Sequence, residues 1–191
     1  MRSVFESREF SQYQVASLYE SRRATDEIYH SAESYTTVFL SHKHDDLDDL
    51  KDVIGFFEKT YKVKVYIDSR DTSMPQITSG KTAETIKDRI KQCKKFILLA
   101  TNGAVDSKWC NWELGFGDAQ KFQEHIALFP IKPRDSLYKG TEYMSIYPHI
   151  AFYDGTECSK NGSPIEKGYY VCVEKDGGTR TIKRLESWFR S

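Results

Sequence analysis

The sequence is poor in the residues that would place it in several common classes of protein. Its 191 residues include four cysteines, none of them in a C-x-x-C pair, which argues against a disulfide framework and a zinc site. The longest uninterrupted aliphatic run, residues 96–100, is far shorter than the roughly 20 residues of a membrane-spanning helix. The first residues lack the apolar core of a signal peptide. We therefore expect a cytoplasmic protein with reduced thiols.

Neither sign of charge is in excess. The 28 Lys and Arg residues balance 28 Asp and Glu residues, so no overall field attracts the chain to nucleic acid or to anionic membranes. Hydrophobic residues make up 39% of the chain and aromatic residues 14%, which suffices for one core. The length fits a single domain with some additional elements. We expect neither a nucleic-acid partner nor a membrane partner.

Strand-like and helix-like patterns alternate from residue 36 onward. Short apolar, β-branched runs predict buried strands at residues 36–41, 63–67, 96–100 and 126–131. Apolar residues at steps of three and four predict helices between these strands, and Ser107 is placed to cap the third of them. This alternation predicts an α/β fold with a doubly wound parallel sheet, in which ligands bind at the carboxyl ends of the strands.

The two ends of the chain are less regular. Weak helical spacing in residues 1–34 predicts a helical lead-in before a core at residues 35–133. Residues 134–191 are expected to form a C-terminal extension packed on the same domain. Within it, residues 150–153 and 169–173 predict strands, residues 176–178 a turn and residues 182–189 a helix.

Four segments in fixed order resemble the TIR domain family over roughly residues 36–133. They are VFLSH, VYIDSRD, FILLAT and SKWCNWEL. The last is the most specific, because many TIR domains carry S-x-W-C-x-x-E, here Ser107, Trp109, Cys110 and Glu113. The resemblance implies a flavodoxin-like fold and an NAD-cleaving enzyme that releases nicotinamide. The stand-alone format is similar to the TIR proteins of Thoeris anti-phage defence, which turn NAD into an ADP-ribose-derived, in some cases cyclic, nucleotide signal for a separate effector protein.

Cleavage of NAD requires few catalytic groups. Nicotinamide departs as a neutral molecule from a cationic ring, so the main task is to stabilise a ribosyl oxocarbenium ion, and one carboxylate can do this. Glu113 is the predicted catalytic residue. Trp109 lies one helical turn earlier and is predicted to offer a flat surface to the substrate. Spacing alone favours an ordinary Trp–Glu pair beside the core, whereas the resemblance favours catalysis.

Further NAD-binding residues are expected at the ends of the first two strands. Phe39 is placed either to stack on nicotinamide or to pack in the core, and Ser41 to bond the nicotinamide amide. His42 follows the first strand and is expected to contact solvent or phosphate. Arg70 is predicted to bind the pyrophosphate, with pairing to a neighbouring aspartate as the equal alternative.

Neither a metal nor a cofactor is expected. His42 and His44 form an H-x-H pair without a third ligand, which is a weak metal signal. NAD enters this scheme as the substrate and is not retained as a cofactor.

Two other functions compete with the enzyme. One is a non-catalytic TIR scaffold that assembles through the loop at residues 68–80 and the third helix. The other is a phosphoacceptor built on Asp45 and Asp46, which lacks a matching lysine after a fifth strand. If the chain is an enzyme, the cost of ordering that long loop predicts low basal activity that rises on self-association.

Overall fold

The computed structural model describes residues 1–16, 18, 35–68, 79–175 and 179–191. The strands are β1 (Phe5–Glu6), β2 (Thr37–Ser41), β3 (Lys64–Tyr66), β4 (Lys95–Thr101), β5 (Ile126–Lys132), β6 (His149–Tyr153), β7 (Gly168–Lys175) and β8 (Thr179–Arg184). The helices are α1 (Leu47–Tyr61), α2 (Gly80–Gln92), α3 (Asn102–Val105), α4 (Lys108–Lys121), α5 (Thr141–Ile146) and α6 (Leu185–Arg190). Short 3₁₀ helices occupy Ser11–Tyr13 and Gln123–His125.

A single mixed sheet organises these elements. Its strand order is β3-β2-β4-β5-β6-β7-β8, and the first five strands of this order run parallel. The parallel part has the flavodoxin-like order, in which the chain winds first to one side and then to the other. The reversal lies between β2 and β4, and folds of this kind bind ligands in the crevice at that point. The predicted α/β fold class is confirmed.

The two faces of the sheet follow from the alternation of side chains along its strands. Val38, Leu40 and their counterparts on β4 and β5 point to a core that includes α1 and α6. Phe39 and the alternate residues of β4 point the other way, to α2 and α4. Since Ser41 lies two residues after Phe39, its side chain is directed to the same face as α4.

Pro130 lies within β5 and does not end the strand. β5 pairs with β6 at Leu128 and with β1 at Ile131, so Pro130 falls where one partner gives way to the other. The Leu128 N–H donates to the Pro148 carbonyl on that side at 2.8 Å. The missing N–H of Pro130 therefore lies between two partners and removes no ladder hydrogen bond there.

The ends of the chain differ from the sequence-based expectations. Residues 5–6 form a strand and residues 11–13 a 3₁₀ helix where helices were expected, and much of the expected lead-in lies outside the described residues. Residues 182–184 belong to β8, so the C-terminal helix begins at Leu185 and not at residue 182. The end of β4 is followed directly by the short helix α3. The turn expected at residues 176–178 also lies outside the described residues.

All four cysteines are free thiols, and three of them are buried. Within the described residues, no helix is both long enough and apolar enough to cross a bilayer.

The N-terminal segment, which includes Arg8 and Tyr13, packs closely against α1 and is held there by hydrogen bonds. The Tyr13 carbonyl accepts a hydrogen bond from Lys59 Nζ at 2.9 Å, and the Arg8 N–H donates to Asp49 Oδ1 at 2.8 Å. Gly55 makes the approach possible, because a Cβ atom added there would lie 1.8 Å from the Tyr13 oxygen. A backbone carbonyl cannot move aside as a flexible side chain can.

We expect Gly55→Ala to destabilise the protein by roughly 1–3 kcal/mol, the usual cost of overpacking a close contact. The added methyl group must displace the N-terminal segment from α1. Urea denaturation would measure the loss in the free energy of unfolding.

Gly115→Ala is the matched control. Gly115 is an exposed residue in the middle of α4, and an added Cβ would meet nothing within 4 Å. This variant should be as stable as the parent or more stable by about 0.5–1 kcal/mol, because alanine favours the helix. Equal stability of the two alanine variants would show that the Tyr13 contact is unimportant.

Candidate active site

Glu113 and Ser41 meet beneath the crevice between β2 and β4. Ser41 Oγ donates to Glu113 Oε2 at 2.5 Å, and Glu113 is only 2% exposed. Two features of α4 bring the carboxylate there. Ser107 accepts from the Cys110 N–H at 3.3 Å and so fixes the start of the helix. Gly117 lets the helix approach β4, since an added Cβ would lie 3.0 Å from the Phe96 ring.

Burial changes the acidity of Glu113. Removal from water raises its pKa from 4.5 to about 8, and the negative charge of Asp68 acts in the same direction. The Ser41 hydrogen bond and the nearby Trp109 side chain oppose this shift, because both stabilise the ionised form. The carboxyl group is therefore largely protonated at neutral pH and ionises more readily when a positive charge approaches.

His42 lies beside this pair but is more enclosed than expected. It is 8% exposed, and its Nδ1 lies 3.3 Å from the Leu40 carbonyl and 3.9 Å from Asp68 Oδ1. Burial lowers the pKa of His42, although Asp68 raises it. The ring is consequently neutral at pH 7. His42 therefore keeps little of the expected contact with solvent, and its contact with phosphate stays a prediction.

A second hydrogen bond joins the ends of β2 and β4. Thr101 Oγ1 donates to Asp46 Oδ2 at 2.5 Å and accepts from the Ala104 N–H at 2.9 Å. Burial raises the pKa of Asp46, while the Thr101 hydrogen bond lowers it. Asp46 precedes α1, so this contact ties the starts of α1 and α3 together above the strands. These hydrogen bonds hold the two sides of the crevice in place.

Trp109 begins a row of aromatic rings on α4. Its ring centroid lies 4.9 Å from that of Trp112, which in turn lies 6.3 Å from Phe116. Lys87 of α2 places its ammonium group 5.8 Å from the Trp112 ring and 5.5 Å from the Phe116 ring. The row is partly buried, so Trp109 keeps surface that a ligand can contact next to Glu113.

Of the predicted NAD-binding residues, Phe39 lies in the core and Arg70 lies outside the described residues. Phe39 is 1% exposed and lies between Tyr66 and Phe96, with ring centroids 5.4 and 5.6 Å away. This geometry favours its structural role in the core over stacking on nicotinamide. Arg70 lies outside the described residues, and its contact with pyrophosphate stays a prediction.

The structure adds contacts that the sequence reasoning did not identify. Ser41 had been assigned to the nicotinamide amide, whereas here its hydroxyl is engaged by Glu113. Cys110 is 1% exposed, and its thiol contacts Ser41 and Ser107. Burial raises the pKa of this thiol, and the nearby Glu113 acts in the same direction. Asp68 had been considered only as a partner for Arg70. The sequence signal for Ser41 and Asp68 is their position at the ends of parallel strands, which converge at one edge of the sheet.

No metal site is evident in the described parts of the chain. They contain no group of three or more His, Cys, Asp or Glu side chains placed to hold an ion. The site is built from one buried acid, one hydroxyl group and aromatic surface.

A flavodoxin-like sheet with a buried carboxyl group at its switch point belongs to the doubly wound α/β domains, which bind ligands at that point. Within that class, residues 38–160 match the family model described as "TIR domain". The chain belongs to the TIR domain family. The match extends beyond residue 133, where the core was expected to end, and includes β6.

Two relatives are similar over different parts of the chain. A Bacillus cereus (strain MSX-D12) protein, named with the qualifier "Probable" as 3′ cyclic ADP-D-ribose synthase ThsB′, is 26% identical over 156 residues, covering 78% of this chain and 77% of that protein. A Cytobacillus dafuensis protein, provisionally named cyclic ADP-D-ribose synthase TIR2, is 29% identical over 82 residues. That match covers 41% of this chain and 21% of the relative, so it concerns one segment of a longer protein.

The raised pKa of Glu113 predicts a pH-dependent contribution to stability. Its folded-state pKa of about 8 exceeds the ordinary 4.5, so the stability that this group contributes is lost as the pH rises from about 4.5 to about 8. Glu113→Gln should remove this loss and stabilise the protein at pH 8 by an amount on the order of a few kcal/mol. Urea denaturation at pH 5 and pH 8 would measure the difference.

Glu84→Gln provides the control, because Glu84 is an exposed residue on α2. Its pH dependence of stability should equal that of the parent protein. If Glu113→Gln also follows the parent at both pH values, the carboxyl group is not desolvated as described.

Proposed function

We propose that this protein cleaves NAD at the bond between nicotinamide and ribose, with Glu113 as the catalytic carboxylate. The single observation that carries the proposal is the buried Glu113 carboxyl group, bonded to Ser41 beneath the switch-point crevice. Similarity to the two relatives named as cyclic ADP-D-ribose synthases supports the substrate and the class of product.

The environment of Glu113 suits the electronic demands of this reaction. As the C1′–N1 bond breaks, its electron pair moves to the nicotinamide ring, which leaves uncharged, and positive charge appears on the ribose. A carboxylate held in a dry site stabilises that charge far more effectively than one in water. The cationic nicotinamide ring of bound NAD favours ionisation of Glu113, which restores the charged form despite burial.

Trp109 has a supporting role in this proposal. It lies one turn before Glu113 and carries surface that a flat ring or the ribose can contact. The acceptor that captures C1′ decides the product. Water gives linear ADP-ribose, whereas a hydroxyl group of the same nucleotide, on losing its proton, gives a cyclic ADP-ribose with one water fewer, which the names of the relatives favour.

The biological setting is proposed on the same basis. We place the protein in the cytoplasm, in an anti-phage system where its nucleotide product activates a separate effector. TIR–TIR contacts between copies are proposed to raise its activity. The non-catalytic scaffold remains the competing function, but a scaffold gives no reason to bury an acid at the switch point at the cost of its ionisation.

Nicotinamide release tests the function directly. Purified protein incubated with NAD should release nicotinamide and form linear or cyclic ADP-ribose, with a specific activity that rises with protein concentration. Glu113→Gln should lower kcat by roughly 100-fold or more, as expected for loss of a group that stabilises the transition state. Mass spectrometry would identify the product.

Glu84→Gln again serves as the control and should retain full activity. Equal nicotinamide release by the parent and the Glu113→Gln variant would reject the catalytic role. No release by either at high concentration would favour the scaffold.

The rate should also depend on pH through Glu113. Since kcat/KM reports ionisation of the free enzyme, it should rise with pH to a midpoint at about pH 8. Ser41→Ala should move this midpoint to higher pH, because the lost hydrogen bond stabilised the ionised carboxylate. A pH series of initial rates would measure both midpoints.

Ser145→Ala is the matched control, since Ser145 is exposed on α5. Its midpoint should equal that of the parent. A Ser41→Ala midpoint that stays in place or moves to lower pH would contradict the role given to Ser41.

A further inference from the structure

Lys43 and Gly103 occupy equivalent places on the two sides of the crevice. Lys43 follows the end of β2 by two residues, and Gly103 follows the end of β4 by two residues. β2 and β4 are parallel neighbours, so both residues lie at the carboxyl edge of the sheet. This edge is the switch point, where the same strands bring Ser41 close to Glu113.

The side chain of Lys43 lies directly against the backbone of Gly103. A Cβ atom added to Gly103 would lie 2.9 Å from Lys43 Cδ and 3.3 Å from Lys43 Nζ. Any larger residue at position 103 would therefore displace the lysine. The absence of a side chain at this position leaves room for the lysine to cross from one wall of the crevice to the other.

The ammonium group of Lys43 can exchange its present ion-pair partner for another anion. Its ion-pair partner is Asp45, at 3.2 Å, which is 76% exposed. Exposed pairs of this kind contribute little stability and are easily replaced by another anion. Asp45, Asp46 and Asp68 make the surroundings acidic, so a doubly negative pyrophosphate that enters this crevice requires a cation at its mouth.

We propose that Lys43 binds the pyrophosphate of NAD and that Gly103 positions it to do so. The inference rests on the proposed function for the identity of the ligand. It assigns phosphate recognition to the loop after β2, in addition to the contact predicted for Arg70. Lys43 is a binding residue in this scheme and takes no part in bond cleavage.

Binding of ADP-ribose tests this assignment without requiring turnover. ADP-ribose carries the pyrophosphate but lacks nicotinamide, and its Kd can be measured by titration calorimetry. Lys43→Met should raise the Kd roughly tenfold or more, the range expected for loss of a charge-assisted hydrogen bond. Gly103→Ala should also raise it, because the lysine is retained but displaced. With NAD as substrate, both variants should raise KM while kcat changes little.

Two variants control for charge and for helix effects. Lys94→Met removes one positive charge from an exposed residue just before β4, at the opposite edge of the sheet. Gly80→Ala places a methyl group at the start of α2, where it meets nothing within 4 Å. Both should bind ADP-ribose as the parent does.

The outcomes separate this inference from the proposed function. An unchanged Kd in Lys43→Met, or no binding of ADP-ribose by the parent, overturns the assignment of Lys43. Weaker binding in both crevice variants, together with no cleavage of NAD by the parent, supports the assignment and rejects the proposed enzyme. A fall in kcat without a rise in KM would also contradict it, because a phosphate contact acts on binding.

Discussion

The hydrogen bond between Ser41 and Glu113 depends on how closely α4 can approach the sheet. An acid that is 2% exposed is costly to ionise, and one short hydrogen bond lowers that cost only in part. The bond forms because Ser41 continues the row of side chains that face α4 and because Gly117 brings the helix against Phe96. The environment of Glu113 therefore depends on how α4 packs against the sheet. A shift of α4 by the width of a methyl group would separate the two oxygens.

The walls of the crevice hold this contact in place. Thr101 and Asp46 connect the ends of β2 and β4, while the N-terminal segment binds α1 through Arg8 and Tyr13. A group whose ionisation is finely balanced needs neighbours with fixed positions, since small displacements change its electrostatic environment. The rigid surroundings explain how a single carboxyl group can be kept dry in a small domain.

The central fold was predictable because its strands are buried on both faces and its helices are amphipathic. The apolar run at residues 96–100 predicts the position of β4, and the capping residue Ser107 predicts the start of α4. The ends were less predictable. β1 has two residues and forms only because β5 offers an unpaired stretch beyond β6, a condition that no local pattern reveals. The last helix was placed too early because Ile182 is apolar whether it continues a strand or starts a helix.

Prediction of the site was strong for one residue and weaker for its surroundings. Glu113 stands in a distinctive motif, whereas Phe39 carries the same sequence signal in a core as in a binding site, and burial decides between them. The role of Ser41 depends on a contact across 72 positions of the chain. Such contacts follow from the order of strands in the sheet, which local sequence patterns do not reveal.

The strand β8 has a consequence for how copies of the protein can meet. It lies at the outer end of the described sheet and carries Arg180, Lys183 and Arg184, of which Arg180 pairs with Glu174 and Arg184 with Glu166. Charged side chains along a border strand hinder its pairing with an identical strand of another molecule. Continuous sheet growth between molecules through β8 is thereby disfavoured.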